Sequence, residues 1–401
     1  MRRGDRTDMS LTQETTASLL ERGFTRRHLG RISRVMAAGV AGLPLFSEFA
    51  QAQQAENRAN RRAGGARDMN DPEAVRITSN ENPLGPCKEG LEALYKVAPM
   101  GGRYSPTGEN QDFVNMIAQT ENVKPEYVSA YPGSSIPLFN SACAFTSPSR
   151  SWTMGNPGYS SGAPKWLGSK TVQVPLRPDM THDVEAMIKA DPNAGAYYVC
   201  NPNNPTGTVT SRKDIEYLLA HKAKDAVVVV DEAYVHFSDT AQMCTDLVAQ
   251  DKDIVVLRTF SKAYGMAGLR AGAAIGRPDL LAKIRAYGGG GFMPITATAC
   301  AAASMRVKGL MKERHDINKA AREMTFAHLE KKGVTYIPSE TNFFMITVKG
   351  MTGAQVNEAM AKYKVYIGRT WPVWPEKVRV TVGTMDEMKK FNDALDKVLS
   401  S

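Results

Sequence analysis

A serine and a lysine, Ser261-Lys262, follow closely on a run of apolar residues, Ile254–Leu257. A lysine amine condenses with a carbonyl, and a serine hydroxyl holds a phosphate. Gly265, Gly268 and Gly272 come next, with Arg270 among them. Glycines let a backbone approach a ligand closely, and an arginine offers phosphate a fork of donors. Asp231 and Glu232 close a second apolar run, Ala226–Val230, with Tyr234 just beyond. A carboxylate in that place suits a cationic group on a ligand. Gly133-Ser134-Ser135, ahead of a helical stretch, makes a phosphate-binding turn. Asn201–Gly207 forms a Pro- and Asn-rich loop after a third apolar run, Ala196–Cys200. Each feature alone is weak, because a lone Ser-Lys or Asp-Glu usually belongs to a solvated surface; their order along one chain carries the weight.

These residues need strands to end beside them. Short β-branched runs occur at Thr171–Pro175, Ala196–Cys200, Ala226–Val230, Ile254–Leu257 and Ala271–Ile275, and helical patterns such as Ser211–His221 and Pro278–Ala286 alternate with some of them. That alternation predicts an α/β domain with a mainly parallel sheet, whose ligands bind beyond the carboxyl ends of the strands. The C-terminal part reads as α+β: a long polar helix over 303–332, strands at Asn342–Val348, Val365–Gly368 and Val378–Val382, and a last helix over Asp386–Leu399.

The chain has 401 residues, 42% hydrophobic and 23% charged, enough for a large core and two domains. Its net charge is +9; residues 1–52 hold 8 Lys/Arg and 5 Asp/Glu, or +3, leaving +6 for the remainder. The basic residues beyond are scattered, which argues for a solvated surface and against nucleic-acid binding. Cys87, Cys143, Cys200, Cys244 and Cys300 are widely spaced and odd in number, without a CxxC pair, so neither a disulfide framework nor a metal site is expected.

The N-terminus reads as an address. Thr25-Arg26-Arg27-His28-Leu29-Gly30-Arg31 precedes an Ala- and Gly-rich apolar stretch from Val35 to Phe49, and then Ala50-Gln51-Ala52, a small-x-small cleavage signal. That order predicts a signal peptide over 1–52, removed before the protein matures, in a periplasmic or otherwise exported protein. The Arg pair resembles a twin-arginine export signal, a route for proteins already folded with their cofactor. Residues 53–72 are expected to be a flexible linker. No later stretch is apolar for the roughly 20 residues a stable membrane span takes.

Taken together, residues 75–400 resemble the pyridoxal-phosphate (PLP) aminotransferases of fold type I, and within them the histidinol-phosphate aminotransferase family. Asn80–Pro86 is similar to the opening N-E-N-P-x-G-P, Arg103–Pro106 to an R-Y-P segment, Asn201–Thr208 to N-P-N-N-P-T-G-T, Asp231–Tyr234 to D-E-A-Y, Thr259–Gly272 to T-x-S-K-A-x-G-x-A-G-L-R-x-G and Arg379–Thr384 to R-V-T-V-G-T. The resemblance implies a seven-stranded, mainly parallel sheet in a large PLP-binding domain over 109–302, a small C-terminal α+β domain over 303–401, and an N-terminal arm over 73–108 that joins the small domain.

It also implies roles. Lys262 would hold PLP as a Schiff base and move the substrate's proton. Asp231 would pair with the ring nitrogen, keeping the ring an electron sink. Asn204 and Tyr234 would bind the ring's 3′ oxygen, and Tyr159 would stack on the ring. Ser134, Ser135, Ser261 and Arg270 would cradle the phosphate, and Tyr104 would reach it from the neighbouring subunit of a homodimer with shared sites. Arg379, with Arg369 beside it, would anchor the substrate's anionic group. The chain departs from the pattern at three places: no acidic residue follows Gly133, Leu84 stands where many members carry Tyr, and Trp371 and Trp374 lie between the two arginines. Tryptophans there either pack the core or line an apolar side-chain pocket. The expected activity is transfer of an amino group between an amino acid or amine, of histidinol-phosphate or other anionic type, and a 2-oxo acid. The same scaffold also supports decarboxylation, elimination and oxidation, and a non-catalytic regulator would need a DNA-binding module that the first 70 residues lack.

Overall fold

The computed structural model describes residues 13–21, 23–27, 29, 71–105, 108–160, 162–291 and 293–400. The apolar stretch from Val35 to Phe49, the Ala50–Ala52 signal and most of the 53–72 segment lie outside the described residues. Of residues 1–52, a helix over Gln13–Glu21 is described, and Leu19, Phe24 and Leu29 are buried in the same apolar cluster as Leu138 and Phe145. Among the described residues no helix is long and apolar enough to cross a membrane.

Among the described residues, twelve strands are formed. β1 (Val75–Ile77) precedes β2 (Val128–Tyr131), β3 (Trp152–Asn156), β4 (Thr171–Pro175), β5 (Ala196–Cys200), β6 (Val227–Asp231), β7 (Ile254–Thr259) and β8 (Gly272–Gly276). β9 (Thr335–Ile337), β10 (Phe343–Thr347), β11 (Val365–Ile367) and β12 (Lys377–Thr381) follow. Strands β2 to β8 make one seven-stranded sheet in the order β2-β8-β7-β6-β5-β3-β4. β8 runs antiparallel to both its neighbours, and the pairs from β7 to β4 are parallel.

Strand alternation explains how this sheet is buried on both sides. Val228 and Val230 of β6 enter one apolar cluster with Tyr197, Val199, Ile254 and Val256. Val227 and Val229 enter the other, with Tyr198, Cys200, Val255 and Leu257. A parallel sheet covered on both faces needs such continuous apolar strands. The strand order turns at β3, with β4 on one side and β5 to β7 on the other. Such a turning point leaves a crevice at the carboxyl ends, where ligands sit.

The C-terminal strands form an antiparallel sheet in the order β12-β10-β9, and β1 pairs in parallel with β11. A third apolar cluster, including Ile77, Phe344, Val356, Val380 and Phe391, joins these strands to the helices Gly353–Ala361 and Met385–Leu399. The long polar helix expected over 303–332 is two helices, Ile295–Arg306 and Leu310–Lys332. Gly309 between them has a φ of 80°, a left-handed conformation that a helix interior does not allow. Asp231 is the last residue of β6, paired with Cys200 of β5, so sheet hydrogen bonds fix its backbone.

One buried ion cluster ties the sheet to its helices. The Arg258 guanidinium on β7 donates to Glu232 Oε2 at 2.6 Å and to both Glu121 oxygens at 2.7 and 2.8 Å. Nothing in the spacing of Glu121 along the sequence signals this partnership. A buried charge deprived of its partners is destabilising by roughly 3–5 kcal/mol, so the triad fixes how β6 and β7 end beside the helix Glu109–Thr120.

Candidate active site

Lys262 follows the end of β7 and turns toward the N-terminal arm. Its Nζ donates to the carbonyls of Asn80 at 2.9 Å and Ser79 at 3.2 Å, and lies 5.7 Å from the centre of the Tyr234 ring. The side chain is partly buried. Burial, helped by the positive charge of Arg379, pulls that amine down to about 7. A lysine near 7 is a competent nucleophile and base at neutral pH.

Asp231 lies on the sheet's end, 4% exposed. Its Oδ1 accepts the Ala233 N–H at 3.2 Å and its Oδ2 accepts the Tyr198 hydroxyl at 3.0 Å. Burial pushes its carboxyl up to about 6. A buried carboxylate of this kind gains most from a cationic partner, and a pyridinium nitrogen is one.

The phosphate cradle assembles around Gly133. Arg270 donates to Ser261 Oγ at 3.1 Å and to the carbonyls of Ala267 at 3.0 Å and Pro132 at 3.3 Å. A Cβ on Gly133 would stand 2.1 Å from the Arg270 guanidinium, and Gly133 has a φ of 85°, so only glycine serves there. Ser134 caps and Ser135 begins the helix Ser135–Phe145, whose N-terminal N–H groups favour an anion. Burial holds Arg270 below its ordinary range. A cation whose charge is disfavoured by burial fits a dianionic phosphate.

The remaining residues form a connected wall. Asn204 donates to the Tyr234 hydroxyl at 3.3 Å, and its Oδ1 accepts from Arg379 at 3.0 Å. Asn80 also donates to the Tyr234 hydroxyl, at 3.2 Å. Arg379 is 6% exposed and donates to the Thr78 carbonyl at 2.9 Å. Its guanidinium lies 5.6 Å from both the Phe343 and the Trp371 ring centres, and Arg369 lies 4.8 Å from Trp371. The Trp374 N–H donates to the Trp371 carbonyl at 3.0 Å, and Trp371 packs with Ile337 and Met345. Trp371 therefore both packs and supports the two arginines.

Tyr159 is partly buried at the rim of the cluster that contains Tyr198 and Tyr234. Tyr104 is 90% exposed. Sequence reasoning missed Tyr198, Phe343 and the roles of Thr78 and Asn80. Two of these carried a signal. A tyrosine in a fully buried strand needs a partner for its hydroxyl, and Asn80, inside a motif, has a φ of 53°, which asparagine tolerates better than most residues.

Residues 72–395 match the model of the family described as aminotransferase class I and II. This chain belongs to that family. The aminotransferase is 31% identical over 372 residues to histidinol-phosphate aminotransferase 1 of Nitrosococcus oceani, covering 91% of this chain and 97% of that protein. It is also 31% identical over 370 residues to an aromatic amino acid aminotransferase of Cutibacterium acnes, covering 90% and 97%. Among solved structures, a putative histidinol-phosphate aminotransferase from Erwinia carotovora atroseptica superimposes with a TM-score of 0.78 at 27% identity, over 82% of this chain and 96% of that one. The fold is that of the fold-type-I enzymes, and the chain is a PLP-dependent aminotransferase.

Proposed function

We propose that this aminotransferase takes amino donors carrying a carboxylate or another compact anion, with Arg379 as the anchor and Lys262 as the base. The observation that carries the reading is the continuous link from Lys262 through Asn80, Tyr234 and Asn204 to Arg379. It links an anion-binding guanidinium in the wall to a near-neutral amine beside it. When bound, PLP supplies an electron sink for the pair left at the substrate's Cα. The residues that would hold it are Lys262, Asp231, Ser134, Ser135, Ser261 and Arg270, with Asn204, Tyr234 and Tyr159 about its ring. The Lys262 amine would take up the substrate's Cα proton and hand it on. Arg379 fixes the donor by two parallel hydrogen bonds, which orients the Cα–H bond toward that amine. Trp371 and Phe343 flank the anchor and favour donors with an apolar or aromatic side chain, and histidinol phosphate is one anionic donor the same arginines suit. The test is a screen of amino donors in air, with and without a 2-oxo acid, measuring keto acid, ammonia, peroxide and CO2. Keto acid beyond one equivalent per site that forms only with the acceptor supports transamination. Peroxide, CO2 or ammonia without the acceptor would assign another outcome to the same scaffold.

The exposure of Tyr104 supports a homodimer in which this residue serves the neighbouring site. A solution mass of a single 43.8 kDa chain would remove that reading. Twin-arginine export is supported by the Arg26-Arg27, apolar and Ala50-x-Ala52 order. It predicts a mature N-terminus near Gln53 in protein recovered outside the cytoplasmic membrane; intact Met1 in the cytosol of the native cell counts against it.

A further inference from the structure

Tyr198 has no role in the reading so far, although it touches the residue on which that reading most depends. In β5 it lies two residues before Cys200, so both point to one face of the sheet. Cys200 is the register partner of Asp231 across the β5–β6 ladder. The Tyr198 ring therefore runs along that face toward the carboxylate, and its hydroxyl donates to Asp231 Oδ2 at 3.0 Å. Tyr198 is 1% exposed and cannot exchange this acceptor for water. Trp152 of β3, also 1% exposed, stacks on the ring with centroids 5.5 Å apart and planes at 26°, which leaves the hydroxyl one direction. The other carboxylate oxygen is held by the Ala233 N–H at 3.2 Å. Asp231 is thus restrained at both oxygens, by a side chain on β5 and by a backbone N–H just beyond β6.

A phenylalanine would fill the same apolar space, so packing alone does not account for the hydroxyl. The plainer explanation is that a buried tyrosine merely satisfies its own donor with the nearest acceptor. The two explanations differ in what happens at Asp231 when the hydroxyl is removed.

We propose that Tyr198 is a positioning residue for the cofactor's ring nitrogen, holding the Asp231 carboxylate aimed and ionised so that the ring stays protonated. The proposal rests on the reading of Asp231 as the ring nitrogen's partner. The groups facing this carboxylate are Tyr198 and Cys200 from β5, Glu232 and Tyr234 beyond β6, and Lys262 beyond β7. Burial and the Glu232 charge oppose ionisation of Asp231, while the Tyr198 hydroxyl, the Ala233 N–H and the Lys262 charge favour it. Of the side-chain groups, Tyr198 is the hydrogen-bond donor that can be deleted without changing a charge. Removing it makes the carboxylate more basic, so the proton shared with the ring moves from nitrogen toward Asp231.

The test uses the full-length protein, stripped of PLP and reloaded with PLP labelled with 15N in the ring. Affinity is followed by titration of the stripped protein, and ring protonation by the 15N resonance at neutral pH. Tyr198→Phe should weaken PLP binding on the order of tenfold, the size of one hydrogen bond to a charged group, and move the resonance toward the unprotonated position. Trp152→Phe, which disturbs the stack and keeps the hydroxyl, should leave the resonance in place. A fluorinated tyrosine at 198, whose hydroxyl is more acidic, should move it the opposite way, and it serves in place of Tyr198→Phe where that variant does not fold. Unchanged affinity and resonance in the Tyr198 variants, with both altered in Asp231→Asn, would overturn the proposal and leave the reading of Asp231 intact. An unchanged resonance in Asp231→Asn would instead remove that reading and this proposal with it.

Discussion

The floor and the wall of the site are built differently. The floor comprises Asp231, the Ser261–Arg270 turn and the Gly133–Ser135 turn, and lies on the ends of strands whose backbones are locked by sheet register. Each of its parts is a short local motif. The wall is gathered from five distant stretches: Thr78 and Asn80 from the arm, Asn204 from the loop after β5, Phe343 of β10, Trp371 and Arg379. Of these stretches, only those of Trp371 and Arg379 lie near each other in sequence, and most come from the C-terminal sheet or the arm paired with it. The difference teaches that cofactor chemistry here is a property of one sheet, whereas donor recognition depends on how the second sheet meets the first. Changes in the wall can alter the donor without altering the floor.

The largest effect should follow from the floor. Lys262→Ala should lose both the covalent link to PLP and turnover, a fall of at least about 10^2–10^4-fold for the missing acid–base group alone. Borohydride reduction followed by peptide mapping checks it, and a reducible link found in the alanine variant would place the lysine elsewhere. The next effect sharpens the contrast from the side of the wall. Arg379→Lys keeps the charge but cannot hold Asn204 Oδ1, the Thr78 carbonyl and a planar carboxylate together. Loss of a desolvated charged contact is worth on the order of 2–5 kcal/mol, so kcat/KM for an anionic donor should fall by roughly one to three orders of magnitude. PLP affinity should hardly change. If PLP is lost instead, floor and wall are one unit and the distinction fails.

How much was legible in the sequence follows the same division. β4 and β5 fall at the ends expected for them, and β6, β7 and β8 within one or two residues, because continuous β-branched runs bounded by polar turns have few other readings. The cluster of Ser261, Lys262 and Arg270 was readable because a single turn carries all three. β1, β2, β3 and β9 were missed; β1 and β9 are three residues long and give no periodicity of their own. The support of Arg379 by Phe343 and Trp371, and the Arg258–Glu121–Glu232 triad, are contacts between residues far apart in the chain. Their partners are fixed by packing, and no local pattern announces them. The broken helix at Gly309 shows the opposite error, in which a polar helical pattern was trusted across a glycine.

The smallest effect probes whether floor and wall are electrically independent. The Lys262 amine sits at about 7, lowered first by burial and next by the positive charge of Arg379. Only its neutral form attacks the PLP aldehyde. Below pH 7 the rate at which stripped protein captures PLP should therefore rise about tenfold per pH unit, and above 8 it should level off. Asp231, at about 6, and the PLP phosphate also titrate in this range, so the informative quantity is the ratio of variant to wild type at each pH. Arg379→Gln removes a positive charge that disfavours the ammonium form. The lysine should then titrate higher, and the break in the capture profile should move to higher pH. Relative to wild type, the variant should be slower between pH 6 and about 7 and converge with it in alkaline solution. A break that stays in place would mean that burial alone sets the lysine, and that the wall touches the chemistry only through the donor it holds.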